Sequence, residues 1–161
     1  MCLPYPVVVS IELRELTDEV REDLRSVRLG PGQDRFVSTV EGSLAEAAEV
    51  PEGNPWCRAV YSDGEAIGFV MISWDLDPVP PGLNGPWFLW KLIIDRDHQH
   101  RGYGREIVLH IADLVRSHGG TELMTSHVEG PGGPKDFYLG LGFVPTGEVD
   151  EDGEILLALP L

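Results

Sequence analysis

Two stretches of this chain hold residues whose types and spacing could do chemistry. The first, Gln99-His100-Arg101-Gly102-Tyr103-Gly104-Arg105, has two glycines one residue apart directly before an apolar-periodic segment. Glycines let a ligand approach the backbone closely, and free N–H groups at a helix start attract anions. Arg101 and Arg105 would add positive charge. The stretch predicts a phosphate-binding loop, and a sharp strand-to-helix turn without a ligand is the alternative.

Two other glycine-rich motifs do not fit this loop. A dinucleotide-binding fingerprint needs a third glycine where Ile107 stands. A nucleotide-binding P-loop needs the sequence Gly-Lys-Ser/Thr, which does not occur here. The pattern therefore favours phosphate binding of another kind.

The flanking patterns predict the elements that must position these residues. Apolar or alternating runs predict strands, and residues with a 3.6-residue period predict helices. Asp63-Gly64 is a strong hairpin signal, the proline-rich segment from Asp75 to Pro86 is typical of a loop, and Gly42 could break the second helix in two. The expected strands lie at 7–13, 56–62, 65–74, 87–94, 121–128, from 143 onward and 154–159, and the expected helices at 17–29, 36–48, 104–118 and 134–141.

The same residues resemble the GNAT superfamily of N-acetyltransferases. Residues 99–104 fit its Gln/Arg-x-x-Gly-x-Gly/Ala loop, which binds the pyrophosphate of acetyl-CoA, and residues 92–95 resemble the strand along which the pantetheine arm lies. The second stretch, Phe137-Tyr138-Leu139-Gly140-Leu141-Gly142-Phe143, resembles the family's Phe-Tyr-x-x-x-Gly-Phe. The order of elements also agrees, so the resemblance covers nearly the whole chain. Residues 88–95 and 145–149 are similar to the bacterial spermine/spermidine acetyltransferase subgroup.

This resemblance implies a fold and a co-substrate. The fold is one α/β domain over residues 1–161, with a mixed, mostly antiparallel sheet of about seven strands, about four helices, and strands 4 and 5 splayed apart. One position departs from the family: many relatives carry an Asn seven residues before the tyrosine, where Pro131 stands, so backbone groups of Gly132 and Gly133 would have to replace it. Acetyl-CoA would be bound by Leu92, Ile93, Ile94, Gln99, His100, Arg101, Gly102, Tyr103, Gly104, Arg105 and Tyr138.

Acyl transfer to an amine needs an oxyanion donor, a proton for the leaving thiolate and a base. By resemblance, the Ile94 N–H would be the donor and the Tyr138 phenol would supply the proton. The base stays open among several residues. His127, near the end of the fifth strand, is a candidate base or acceptor contact, with a packed core histidine as the alternative. Asp75 and Asp77 could face the acceptor, Glu65 is expected at the surface, and His98 and His100 are expected beside the phosphates.

Composition limits the partners. A net charge of −15, from 27 acidic and 12 basic residues, argues against nucleic acid or an anionic membrane surface. It is compatible with a cationic acceptor, and also with a role in solubility alone. No apolar run approaches the ~20 residues of a membrane span, and the N-terminal residues do not form a signal peptide, so a cytoplasmic location is expected. Cys2 and Cys57 are expected to be free thiols. No metal-ligand spacing is seen, so no metal is expected, and a homodimer is compatible with the sequence.

The sequence therefore predicts an acetyl-CoA-dependent N-acetyltransferase that acts directly on a primary amine, with a polyamine as the favoured acceptor. A peptide N-terminus, a lysine or an aminoglycoside are alternative acceptors. An acyl-CoA-binding sensor without turnover is the alternative from another class. A screen of amines for thiol release would separate these possibilities.

Overall fold

The structure, a computed structural model that describes residues 9–161, is built on one seven-stranded sheet. The strand order is β1-β2-β3-β4-β5-β7-β6, and β4–β5 is the parallel pair in an otherwise antiparallel sheet. The predicted fold class is confirmed. The strands are β1 Glu12–Arg14, β2 Pro55–Ser62, β3 Glu65–Ser73, β4 Phe88–Ile94, β5 Glu122–His127, β6 Val144–Val149 and β7 Ile155–Pro160, and the helices are α1 Asp18–Asp23, α2 Val40–Glu49, α3 Tyr103–Ser117 and α4 Lys135–Gly140.

Helices cover both faces of the sheet and bury a separate apolar core on each. On one face, α3 contributes Ile107, Ile111 and Val115, which are all fully buried, and the α4 region contributes Tyr138 and Phe143. On the other face, α1 and α2 pack with a second buried cluster, formed by Val20, Leu24, Val27, Val40, Ala59, Tyr61, Ala66, Phe69, Met71 and Ile93. We call these the α3–α4 face and the α1–α2 face. Burial of apolar area on both sides explains why the central strands β3 and β4 read as continuous apolar runs.

The first two helices differ from their predicted bounds. Thr39 accepts a hydrogen bond from the Gly42 N–H at 3.1 Å and so caps α2, which then runs unbroken through Gly42. Phe36 and Val37 therefore precede α2 and follow a short 3₁₀ turn at Gln33–Arg35. The break expected at Gly42 does not occur, because the capping hydrogen bond outweighs the propensity cost of glycine.

The N-terminal strand is only partly described. Val7 and Val8 of the predicted first strand lie outside the described residues, as does Cys2. The described part of this strand, Glu12–Arg14, pairs antiparallel with β2. Between residues 9 and 161, no helix is long and apolar enough to cross a membrane.

Candidate active site

A cleft opens where β4 and β5 separate. These two strands pair only at Phe88–Met124 and Leu89–Thr125. Directly after Leu89, Trp90 has no partner in the β3–β4 register, so β4 forms a β-bulge at this residue. A bulge bends its strand and increases the local twist. The rest of β4 therefore leaves β5, and the gap is a cleft of about 940 Å³ that is reached from both faces of the sheet.

Beyond Leu89, the edge of β4 that faces away from β3 lines this cleft and does not pair with β5. The Asp95 N–H donates to the Ile67 carbonyl of β3 at 2.8 Å. Because N–H groups alternate between the two edges of a strand, the Ile94 N–H lies on the opposite edge, toward the cleft. The Ile94 carbonyl on that edge accepts a hydrogen bond from Gln99 Nε2 at 3.0 Å. The structure therefore places the Ile94 N–H where a carbonyl oxygen in the cleft could reach it.

At one end of the cleft, the predicted phosphate loop joins β4 to α3. Gly102 adopts φ 88° at the helix N-cap position and offers no side chain to cap the first N–H groups of α3. Helix starts of this kind bind anions through those N–H groups and the helix dipole. Of the predicted loop residues, the cleft is lined by Gln99, His100, Gly102, Tyr103, Gly104 and Arg105, but not by Arg101, which is exposed.

Two loop side chains, those of Gln99 and Tyr103, form hydrogen bonds with other side chains of the protein, so their polar groups are not free to bind a ligand in the cleft. Gln99 forms a reciprocal amide pair with Gln33, with N···O distances of 2.8 and 3.1 Å. The Tyr103 hydroxyl donates to Ser62 Oγ at 3.2 Å. These contacts fix the loop, so a phosphate would meet the backbone N–H groups of this segment and the Arg105 side chain.

Asp95 anchors the base of the same loop. Its carboxylate, which is almost fully buried, accepts hydrogen bonds from the Arg28 N–H at 2.9 Å and the Asp97 N–H at 3.2 Å, and it contacts His98 Nδ1 at 2.9 Å. Burial would raise the pKa of Asp95, but these hydrogen bonds together hold it below the usual value. Asp95 is therefore a fixed anion that ties the loop to the segment before the Gln33–Arg35 turn.

Tyr138 lies on α4 at the wall of the cleft. Its ring packs edge-on against Phe137 and Phe143, with centroid distances of 5.1 and 5.3 Å. Burial raises the pKa of Tyr138 to about 12, while the nearby Thr125 hydroxyl acts in the opposite direction. The phenol is therefore protonated at neutral pH and could give a proton to a group in the cleft.

His127 ends β5 and also lines the cleft. It is 2 % exposed. Within residues 9–161, its Nδ1 and Nε2 are the buried side-chain nitrogen or oxygen atoms left without a hydrogen bond. Leaving a buried polar atom unpaired costs about 1–3 kcal/mol, so this imidazole is unlike an ordinary core histidine with satisfied nitrogens.

The α1–α2 face of the cleft carries charges that the sequence analysis did not connect with the site. Lys91 Nζ lies 2.9 Å from Glu46 Oε2 and 3.5 Å from Ser38 Oγ. In the turn between β6 and β7, which also lines the cleft, ligand oxygens of Asp150, Asp152 and Glu154 lie within 4.8 Å of one another. We call residues 150–154 the acidic turn. It is a group of carboxylates suited to a cation or an ammonium, and Glu151 also lines the cleft.

Glu154 is half-buried, as is Asp150, whereas Asp152 is exposed. The Glu154 backbone N–H donates to Asp150 Oδ1 at 2.9 Å, which fixes its position directly before β7. Burial, Asp150, Asp152 and Glu46 all raise the pKa of Glu154, and Lys91 partly opposes them. A carboxyl with a raised pKa in a cleft is a candidate general base. The sequence signal was the acidic run before β7, but nothing in it showed that this turn faces the cleft.

Three predicted acidic residues lie elsewhere. Asp75 and Asp77 are exposed and do not line the cleft, so the expectation that they face the acceptor is wrong. The loop that carries them contributes Gly82, Leu83 and Asn84 to the cleft instead. Glu65 is exposed, as expected. Pro131 does not line the cleft either, although Gly132 and Gly133 do.

A sheet that splays between β4 and β5, with a glycine-rich helix start at one end of the opening, is the architecture expected of the N-acetyltransferases. The family model described as "Acetyltransferase (GNAT) family" matches residues 14–143, so the chain belongs to this family. As a member of this family, it is an acetyltransferase that uses acetyl-CoA.

Individual relatives are distant. The chain is 24 % identical over 157 residues to "Probable spermine N(1)-acetyltransferase" of Bacillus subtilis subsp. natto (strain BEST195), covering 95 % of this chain and 100 % of the relative. An acetyltransferase from Thermus thermophilus matches with a TM-score of 0.71 and 20 % identity, over 96 % of this chain and 99 % of that one. The PaiA N-acetyltransferase from Thermoplasma acidophilum, solved with coenzyme A, matches with a TM-score of 0.63 and 14 % identity, over 94 % and 99 %. These structural likenesses support the fold.

Proposed function

We propose that this chain transfers the acetyl group of acetyl-CoA to a primary amine that carries more than one positive charge, and that its acceptor is a polyamine. The observation that carries the proposal is the acidic turn, which lines the same cleft as the Lys91–Glu46 ion pair. One ammonium of a polyamine could be held by these carboxylates while another amine reaches the thioester. The printed name of the Bacillus subtilis relative agrees with this acceptor class.

The reacting amine must first lose a proton. An alkylammonium with a pKa near 10.4 is neutral about once in 2,500 times at pH 7, which costs roughly 4–5 kcal/mol. Glu154, directly or through one water, would accept that proton. Its raised pKa improves its match to this task, and it lines the cleft in which the thioester would lie. Glu154 takes the role of base for which Asp75 and Asp77 were candidates.

The neutral nitrogen then attacks the thioester carbonyl carbon, a C–N bond forms, and the C–S bond breaks. The Ile94 N–H would stabilise the negative charge on the carbonyl oxygen. Tyr138 would protonate the leaving thiolate. The nitrogen loses two protons in all: one passes through Glu154 to solvent, and the other balances the proton that Tyr138 gives to sulfur.

Direct transfer needs no covalent acyl-enzyme. Cys57 packs in the core of the α1–α2 face and does not line the cleft. Burial raises the pKa of its thiol to about 11, against the effect of the nearby Arg58 and Arg21. A thiol of that pKa is almost entirely protonated at neutral pH and is a poor nucleophile.

The function is tested by following free thiol release from acetyl-CoA over a panel of acceptors. The panel holds spermine, spermidine, a monoamine of similar length, a peptide with a free N-terminus, a lysine side-chain analogue and an aminoglycoside. We expect kcat/KM for spermine to exceed that for the monoamine at least about tenfold and to fall as salt rises, because steering by charge is screened.

Two double variants remove the same charge from different places. Asp150→Asn with Asp152→Asn keeps the hydrogen-bonding oxygens of the acidic turn but removes two charges, and it should lower kcat/KM for spermine by about tenfold, or about 1.4 kcal/mol. Asp75→Asn with Asp77→Asn is the matched control and should change it by less than about twofold. Equal kcat/KM for spermine and the monoamine, flat with salt, would rule out the polyamine. Acetyl-CoA binding without thiol release for any amine would favour the sensor.

A further inference from the structure

The unpartnered imidazole of His127 has no explanation within the described chain. Buried polar groups are nearly always hydrogen-bonded, and an exception at a cleft wall calls for a partner that the protein does not itself supply. His127 meets both conditions, since it is 2 % exposed and lines the cleft, with neither ring nitrogen bonded. Its partner is therefore a ligand or a water molecule in the cleft.

The side of the sheet that His127 faces indicates whether this ligand is the acceptor or acetyl-CoA. Side chains alternate along β5, and Leu123, Thr125 and His127 form its buried set. Leu123 packs in the core beneath α3 and α4, and Thr125 lies beside the Tyr138 hydroxyl. His127 thus faces the α3–α4 side, as does Ile155, its partner in register on β7. Glu154, directly before β7, lies close enough to Lys91 and Glu46 for their charges to act on it.

A neutral imidazole offers one hydrogen-bond donor and one acceptor. An amide group offers the same pair, and the pantetheine arm of coenzyme A contains two amides. The arm entering from the phosphate loop would pass between the free edge of β4 and the end of β5. The position where the family resemblance places an Asn is occupied by Pro131, whose ring nitrogen carries no hydrogen and which does not line the cleft.

We propose that His127 binds the pantetheine arm of acetyl-CoA by a hydrogen bond between its imidazole and an amide of the arm. This role replaces that of general base or acceptor contact. It rests on the use of acetyl-CoA, which the family establishes, and is independent of the polyamine acceptor.

The test compares two probes that differ in the arm. Coenzyme A carries the arm, whereas adenosine 3′,5′-bisphosphate has the nucleotide without it. Calorimetry on His127→Phe, which keeps a planar ring but no ring nitrogen, should show coenzyme A affinity lowered at least about tenfold, or about 1.4 kcal/mol. Affinity for the bisphosphate should change by less than about twofold. His127→Gln, which restores a side-chain donor and acceptor, should recover most of the loss for coenzyme A.

Each other outcome overturns the proposal. Unchanged coenzyme A affinity in folded His127→Phe means that the imidazole meets only water. Equal losses for both probes mean a general effect on the cleft. A drop in kcat with normal binding and a lost limb in the pH–rate profile means that His127 is the base. If His127→Phe does not fold, nitrogen NMR of the wild-type imidazole decides: its signals should shift with coenzyme A and stay in place with the bisphosphate, and the absence of a shift with coenzyme A refutes the contact.

Discussion

Removal of one oxygen atom from Tyr138 tests the chemical step most directly. Tyr138→Phe keeps the ring that packs against Phe137 and Phe143 and deletes only the hydroxyl. With its pKa raised to about 12, the phenol keeps its proton at neutral pH and so holds the proton that the thiolate needs. Loss of such a donor costs about 10²–10⁴ in rate, or about 2.7–5.4 kcal/mol in activation free energy.

The assay is single-turnover acetyl transfer to spermine, with acetyl-CoA affinity measured separately by calorimetry. We expect the transfer rate constant to fall by that factor while acetyl-CoA affinity changes by less than about threefold, because proton transfer to sulfur occurs in the transition state. In wild type, no activity limb from Tyr138 should appear below about pH 11, since its pKa is about 12.

Tyr61→Phe is the matched control. Tyr61 is also a buried tyrosine, and its hydroxyl donates to Asp23 Oδ2 at 2.6 Å on the α1–α2 face, away from the cleft. This change should cost about 1–2 kcal/mol of stability and leave the transfer rate constant within about twofold. Near-normal turnover in Tyr138→Phe would refute the reasoning and mean that water or another group protonates the thiolate.

Two further predictions concern the ends of the cleft. Gly102→Val should lower acetyl-CoA affinity at least about tenfold, because it strains a backbone at φ 88° and places a side chain where phosphate would approach; Gly119→Val, at φ 82° past the end of α3 with equally open space, should not. Glu154→Gln should lower kcat/KM by about 10²–10⁴ and abolish the acid limb of its pH profile. Folding raises the pKa of Glu154, so its contribution to stability is full below the unfolded pKa and is lost as pH rises through the folded value. In urea titrations, Glu154→Gln should therefore be more stable than wild type at neutral pH. In acid this difference in stability should disappear.

Local patterns predicted most of the elements because each depends on neighbouring residues. The period of Ile107, Ile111 and Val115 set the buried stripe of α3, and Asp63-Gly64 set the β2–β3 turn. The glycine-rich loop between β4 and α3 could be predicted for the same reason, because it needs only a strand end, two glycines and a helix start in sequence.

The acceptor side of the cleft could not be predicted in this way. The acidic turn faces the cleft because β7 lies between β5 and β6 in the sheet, and that neighbour relation joins residues far apart in sequence. Asp75 and Asp77 follow a strand that borders β4, yet their loop turns them outward. The sequence pattern favoured Asp75 and Asp77 and gave no reason to connect the acidic turn with the cleft, because strand pairing across the sheet is not encoded in local charge.

The Gln33–Gln99 pair has a thermodynamic consequence. Together with the Arg28 N–H bond to Asp95, it joins the phosphate loop to the segment that leads into Phe36 and Val37, which line the cleft. If binding of acetyl-CoA orders this connection, an acceptor that binds afterwards does not have to order it again. The two ligands would then bind cooperatively, and by linkage the acceptor must raise the affinity for acetyl-CoA by the same factor by which acetyl-CoA raises the affinity for the acceptor.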